Sequence, residues 1–272
     1  MHLKGVDNIN ALKRIAVAAV LLPALYLYIM YLPAIYFLFF LIFMSIIAMS
    51  EFYSMYRIEG ILRYAGLFSG ISILSISYIS KDLLLDIIIF SVIAIAGIRL
   101  FFKRNPVSSL SEISLPVFGL FYIPCLLTFQ AQIREIGPEW IILLYATVWA
   151  ADSVAYYLGT LMGKRKLYVE VSPNKTVAGA AGSLVGGVIA AMIMKATLIP
   201  VLSVPSALLI GIIIGIISVL GDLVESMFKR DAGVKDSGTI IPGHGGILDK
   251  IDGVLFAGPI LFWILTALGI IK

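Results

Sequence analysis

The chain has 272 residues, of which 61% are hydrophobic and 13% charged, with a net charge of +4 and a mean hydropathy of +1.05. A soluble domain carries about 25% charged residues, so this composition excludes one and points to a polytopic membrane protein with no nucleic-acid partner. The one cysteine, Cys125, lies in an apolar run without an intrachain partner, which excludes a disulfide framework and reads as a small buried hydrophobe.

A bilayer core asks for about 20 apolar residues per helix. Nine stretches answer to that length, near residues 15–31, 34–50, 61–79, 83–102, 116–133, 141–163, 177–199, 207–230 and 254–271. The expected fold is therefore all-α, with about nine transmembrane helices. Lys13 and Arg14 precede the first run, no small-residue cleavage site follows, and Pro33 leads into the next span, so the first run reads as an uncleaved signal anchor. Ser and Gly dilute the third stretch, and Asp86 enters the fourth. With the N-terminus cytoplasmic, only Lys81, Arg134, Lys195 and Lys272 of the 20 basic residues fall outside, which leaves 16 on the cytoplasmic side. The expected location is the inner cell membrane.

Charge and glycine density rise after residue 145. Residues 1–140 read as scaffold and lipid-facing helices with dimer contacts, and residues 141–272 as the catalytic region. In the sixth span, WAADSVAYYLG places Asp152 about midway along an apolar run, where a carboxylate costs roughly 2.5–3.5 kcal/mol. Such a group faces a bundle interior or a wet cavity, or is bonded to a neighbour such as Tyr156, one turn on. Between the sixth and seventh spans, Ser172-Pro173 reads as a helix start, with Ser172 as N-cap. Free N–H groups beside Lys175 and Thr176 would suit a phosphate, although capping and positive-inside bias account for the same residues. Downstream, Gly179, Ser183 and Gly187, with Gly182, Gly186 and Ala190, form ridges for close helix packing.

The eighth span ends GDLVESMFKRD. At 100° per residue Asp222, Glu225, Ser226, Lys229 and Arg230 share an arc of about 140°. Snorkelling explains Lys229 and Arg230, but not Asp222, two turns deeper. Mixed signs on one face suggest a cation site beside a phosphate site. Residues 235–253, KDSGTIIPGHGGILDKIDG, then bring Lys235, Asp236, Gly243, Gly245, Gly246, Asp249, Lys250 and Asp252 to the same cytoplasmic side. Glycines permit close backbone approach to a ligand. Mg²⁺ is commonly held by one or two carboxylates plus substrate phosphates. Asp222 and Asp249 are the leading candidates as ligands, with Asp152, Asp252 and Glu225 nearby, while Lys175, Lys229, Arg230 and Lys235 would neutralise phosphates. His244 is a lone candidate for orienting a phosphate or moving a proton. This is the residue set of nucleotidyl or phosphoryl transfer. A Walker glycine loop, a Cys/His zinc spacing and a GxSxG elbow are all absent.

The 27-residue run from Ser226 to Asp252, SMFKRDAGVKDSGTIIPGHGGILDKID, closely resembles the signature of the phosphatidate cytidylyltransferases, also called CDP-diacylglycerol synthases. The blocks from Asp152, DSVAYYLG, and Ser172, SPNKT, resemble family blocks too, so the similarity spans about residues 145–253. Lys250 stands where the family usually has Arg, and Ala178 where it often has Glu. The resemblance implies transfer of CMP from CTP to phosphatidic acid, giving CDP-diacylglycerol and pyrophosphate, with Mg²⁺ bound by Asp222 and Asp249 and a second cation nearby. It implies catalytic roles for Asp222, Asp249, Lys175, Lys229, Arg230 and His244. Substrate contacts would come from Ser172, Thr176, Ser226, Lys235, Asp236, Gly245, Gly246, Lys250 and Asp152. A homodimer is expected. The alternative, a cation- or proton-coupled transporter, would also place Asp152 and Asp222 in a membrane bundle but has no need of a basic, glycine-rich loop. A CDP-alcohol phosphotransferase would carry an Asp-Gly-x-x-Ala-Arg block, which is absent.

Overall fold

A computed structural model of the chain describes residues 22–240 and 245–271. Among these, eight spans are helical, long and apolar enough to cross a bilayer. The expected first span lies partly outside the described residues, and its described part is helix α1 (Leu22–Tyr31). Next come α2 (Ala34–Met55), α3 (Gly60–Ile79) and α4 (Leu84–Phe102). The fifth span is broken into α5 (Ser109–Leu120), a π turn at Phe121–Cys125, and α6 (Leu126–Ile136). Proline explains the break: Pro124 has no N–H for the carbonyl one turn back, and a widened turn absorbs the mismatch. Earlier in the same span, the carbonyl of Pro116 accepts from the Tyr53 hydroxyl at 3.0 Å, which ties α5 to α2.

The C-terminal half contains α7 (Pro138–Met162), strands β1 (Lys166–Tyr168) and β2 (Ser172–Thr176), then α8 (Val177–Thr197), α9 (Val204–Asp231) and α10 (Leu248–Ala267). The two strands pair antiparallel, Lys166 opposite Thr176 and Tyr168 opposite Ser172. This hairpin corrects the sequence reading, which started a helix at Ser172-Pro173. The residue before a proline favours extended backbone, and Pro173 fits a strand with a free edge. The helix starts four residues later, where the Thr176 hydroxyl accepts from Gly179 N at 3.1 Å. Pro138 and Pro205 occupy the first turns of α7 and α9, as a residue without an N–H should.

Small residues let α7, α8 and α9 approach closely. A Cβ on Gly182 would stand 2.9 Å from the Val154 carbonyl, and one on Gly215 2.8 Å from that of Ser183. The Ser183 hydroxyl donates to Gly215 O at 2.8 Å, adding a polar tie between α8 and α9. The expected ridge is therefore packed on both sides. Further along, a Cβ on Gly221 would come within 2.6 Å of Asp252 O, so α9 and α10 cross there backbone to backbone.

Several helix ends lie beyond the hydropathy boundaries. Helix α2 runs to Met55 rather than residue 50, and α10 starts at Leu248 rather than 254. A charged residue ends an apolar run but not a helix, if protein groups receive the charge. Glu51, Asp249 and Asp252 all lie in these extensions.

Candidate active site

The ends of α2 and α9, the hairpin, the α9–α10 loop and the start of α10 meet at one end of the bundle. The Tyr56 hydroxyl, just past α2, donates to Asp231 Oδ2 at 3.0 Å and reaches Phe228 O at 3.3 Å. Burial, then the Asp231 carboxylate, push this phenol up to about 12. Arg230 Nε donates to Val171 O at 3.3 Å, which ties the hairpin to the last turn of α9.

On the ionic face of α9 two polar groups form. In the first, Asp222, Glu225 and Asp252 each offer a carboxylate oxygen, all within 4.8 Å of one another. Glu225 and Asp252 are buried. The close crossing at Gly221 brings Asp252 to this cluster. Lys175 stands beside it, 2.7 Å from Asp222 Oδ2, carried there by β2. Ser226 donates weakly to Asp222 at 3.3 Å.

In the second group, Lys229 lies between Glu225 Oε2 at 2.6 Å and Asp249 Oδ1 at 2.5 Å. The other oxygen of Asp249 accepts from Gly246 N at 2.7 Å, Ser237 Oγ at 2.9 Å and Ser237 N at 3.0 Å. Asp249 is thus fully engaged in holding the loop. The expected pairing of Asp222 with Asp249 is not the arrangement found: Asp222 is grouped with Glu225 and Asp252. Two residues at i, i+3 lie on adjacent parts of one helix face: Asp249 meets Lys229 of α9, and Asp252 is the one that meets Asp222 and Glu225.

The remaining expected residues distribute as follows. Asp152 accepts from Ser218 Oγ at 2.6 Å, on the α7 side of the cluster. Tyr156 is exposed and is not its partner. Thr176 is buried and occupied in capping α8, and Ser172 opens β2. Lys235, Asp236 and Lys250 are exposed at the loop. Gly245 takes a left-handed conformation, φ +83°, and a Cβ there would strike the Asp249 carboxylate. His244 and Gly243 lie outside the described residues. Three participants escaped the sequence reading, among them Ser237, whose N–H and hydroxyl hold Asp249. Ser218 is a small polar residue in an apolar run, with no pattern to mark it. Glu51 accepts from Ile247 N, Leu248 N and Ser237 Oγ at 2.9, 2.8 and 3.3 Å. Its one signal was its charge beside an apolar run.

Buried hard-oxygen donors, a lysine at their edge and a glycine-rich loop tied down by N–H bonds thus meet at one end of a bundle of membrane-length helices. The profile of the Cytidylyltransferase family matches residues 12–268, nearly the whole chain. The phosphatidate cytidylyltransferase of Bacillus subtilis (strain 168) is 37% identical over 187 residues, covering 67% of this chain and 68% of its own. That of Staphylococcus haemolyticus (strain JCSC1435) is 35% identical over 223 residues, covering 80% and 85%. The Synechocystis enzyme of the same name is 48% identical over 131 residues, covering 47% and 43%. The chain belongs to the cytidylyltransferase family. The transporter alternative finds no support among these relatives.

Proposed function

We propose that the protein is a phosphatidate cytidylyltransferase that transfers CMP from CTP to phosphatidic acid. The observation that carries this reading is the convergence of the carboxylate cluster, Lys175 and the glycine loop at one end of a membrane bundle, in a chain of this family. A phosphatidate oxygen attacks the α-phosphorus of CTP. The bond from that phosphorus to the bridging oxygen breaks, and pyrophosphate departs with the electron pair. A phosphate monoester is already nucleophilic near neutral pH, so no strong general base is required. The work left to the protein is positioning and charge neutralisation. Lys175, held by Asp222 at the edge of the site, is placed to receive a phosphate oxygen. Lys235, Lys250 and Arg230 add positive charge around the loop.

The residues fit Mg²⁺. Asp222, Glu225 and Asp252 are hard-oxygen donors, and among the described residues the buried Glu225 Oε1 has no hydrogen-bond partner. When bound, the ion would neutralise the polyphosphate and favour departure of pyrophosphate. Asp249 serves this site through Lys229 and the loop, and the family resemblance is what argues for a second cation nearby. We place the site on the cytoplasmic face, where CTP is, supported by the basic-residue asymmetry. The acyl chains stay in the bilayer. For a homodimer, the exposed apolar face of α4, with Phe90, Ile93 and Phe101, is the surface we would test by cross-linking.

The test is product formation by the purified protein in detergent. CTP, Mg²⁺ and phosphatidic acid should give CDP-diacylglycerol, and diacylglycerol in place of phosphatidic acid should give none. Absence of product with phosphatidic acid would contradict the proposal.

A further inference from the structure

Glu51 belongs to α2, in the half of the chain that reads as scaffold, yet the residue is only 5% exposed and its carboxylate lies at the α9–α10 loop. The start of α10 explains the need for it. A helix leaves its first N–H groups without partners, and the residue before it usually supplies a capping oxygen. Here the preceding residues are Gly245, Gly246 and Ile247, none of which has one, and α10 shows no side-chain cap of its own. Glu51 supplies both oxygens from another helix: Oε1 accepts from Ile247 N at 2.9 Å and Oε2 from Leu248 N at 2.8 Å. A negative group at this end also complements the helix dipole.

The loop is shaped around this carboxylate. A Cβ on Gly238 would stand 2.6 Å from Glu51 Oε1, and one on Gly246 2.5 Å from Oε2. The Ser237 hydroxyl lies within reach of both Glu51 and Asp249. Asp249 follows the capped residue Leu248 directly, and Asp252 lies one turn on. The placement of both acids therefore depends on where Glu51 fixes the first turn.

We propose that Glu51 is a positioning residue for the transfer reaction, which sets the start of α10 and, through it, Asp249, Lys229 and Asp252. This inference rests on the transferase reading. It also makes the N-terminal half part of the active site rather than a support for it.

Glu51→Gln keeps the shape but offers one acceptor oxygen in place of two. In the purified variant, normalised to monodisperse protein, kcat/KM for CTP should fall by about tenfold or more, with a several-fold rise in KM. A glutamate that only stabilises the fold would lower the folded yield and leave KM unchanged. Combining Glu51→Gln with Ser237→Ala should cost no more than the worse single change, because both loosen one loop, whereas independent roles would add. If Glu51→Gln does not fold, Gly238→Ala displaces the carboxylate while leaving it chemically intact, and the same rise in KM is expected. Wild-type KM in every folded variant, or additive losses, would overturn the role of Glu51. A wild-type protein inactive with CTP would instead overturn the transferase reading beneath it.

Discussion

Asp222, Glu225 and Asp252 bring three acids together; Lys175 pairs with Asp222 and Lys229 with Glu225, and the buried Asp252 makes the grouping costly unless a further cation or a proton resolves it. On the cation reading, Asp222→Asn and Asp252→Asn should each lower turnover to below about a tenth of wild type, a loss of ~1.4 kcal/mol or more, while the protein still purifies folded. Either variant keeping more than that would remove its residue from the ligand set. Lys175 tests the phosphate side. Lys175→Ala should raise KM for one substrate, or lower kcat, by about tenfold, and unchanged kinetics would leave it a partner of Asp222 only. At this scale the sequence was informative where residues share one helix. Asp222, Glu225, Ser226 and Lys229 were legible from 100° spacing alone. The choice between Asp249 and Asp252 was not, because it depends on how α10 is rotated against α9. Glu51 was hidden because its partners lie some 190 residues along the chain, as in the bond from Leu248 N at a separation of 197.

Elements meet in this site through contacts that tolerate no side chain. At Gly221 the atoms a Cβ would meet are backbone: Asp252 O at 2.6 Å, then Asp252 C and Gly253 Cα at 3.2 Å. Backbone cannot move aside as a flexible side chain can, so Gly221→Ala should force α9 and α10 apart and carry Asp252 away from Asp222. The expected result is a large loss of activity, with a higher Mg²⁺ concentration needed for half-maximal rate. A variant with wild-type Mg²⁺ dependence would show that the crossing does not set the cluster. The small-residue ridge on α8 was legible because close packing needs small residues at fixed spacing. The hairpin was not: Ser-Pro suits both a helix start and a strand, and only pairing with Lys166–Tyr168 decides between them.

For the molecule as a whole, length and apolar composition were enough to locate most of the spans, since a bilayer fixes their length. Boundaries were less legible, because charges received by protein groups extend α2 and α10 past the apolar runs. The proposed orientation is open to direct test. Thr239 is exposed in the α9–α10 loop, whereas Ser237 is buried and bonded to Asp249. A Thr239→Cys probe in a Cys125→Ser background should react with an impermeant maleimide from the cytoplasmic side alone. Labelling from the outer side would reverse the topology and deny the site its nucleotide.

The central claim is that this cluster and loop transfer a nucleotidyl group to a lipid phosphate. It is tested most directly by the fate of two labels, with phosphatidic acid, Mg²⁺ and CTP labelled at either the α- or the γ-phosphorus. The account predicts that the α-label enters the lipid fraction while the γ-label appears only in pyrophosphate. Lipid carrying the γ-label, or neither label, would contradict it.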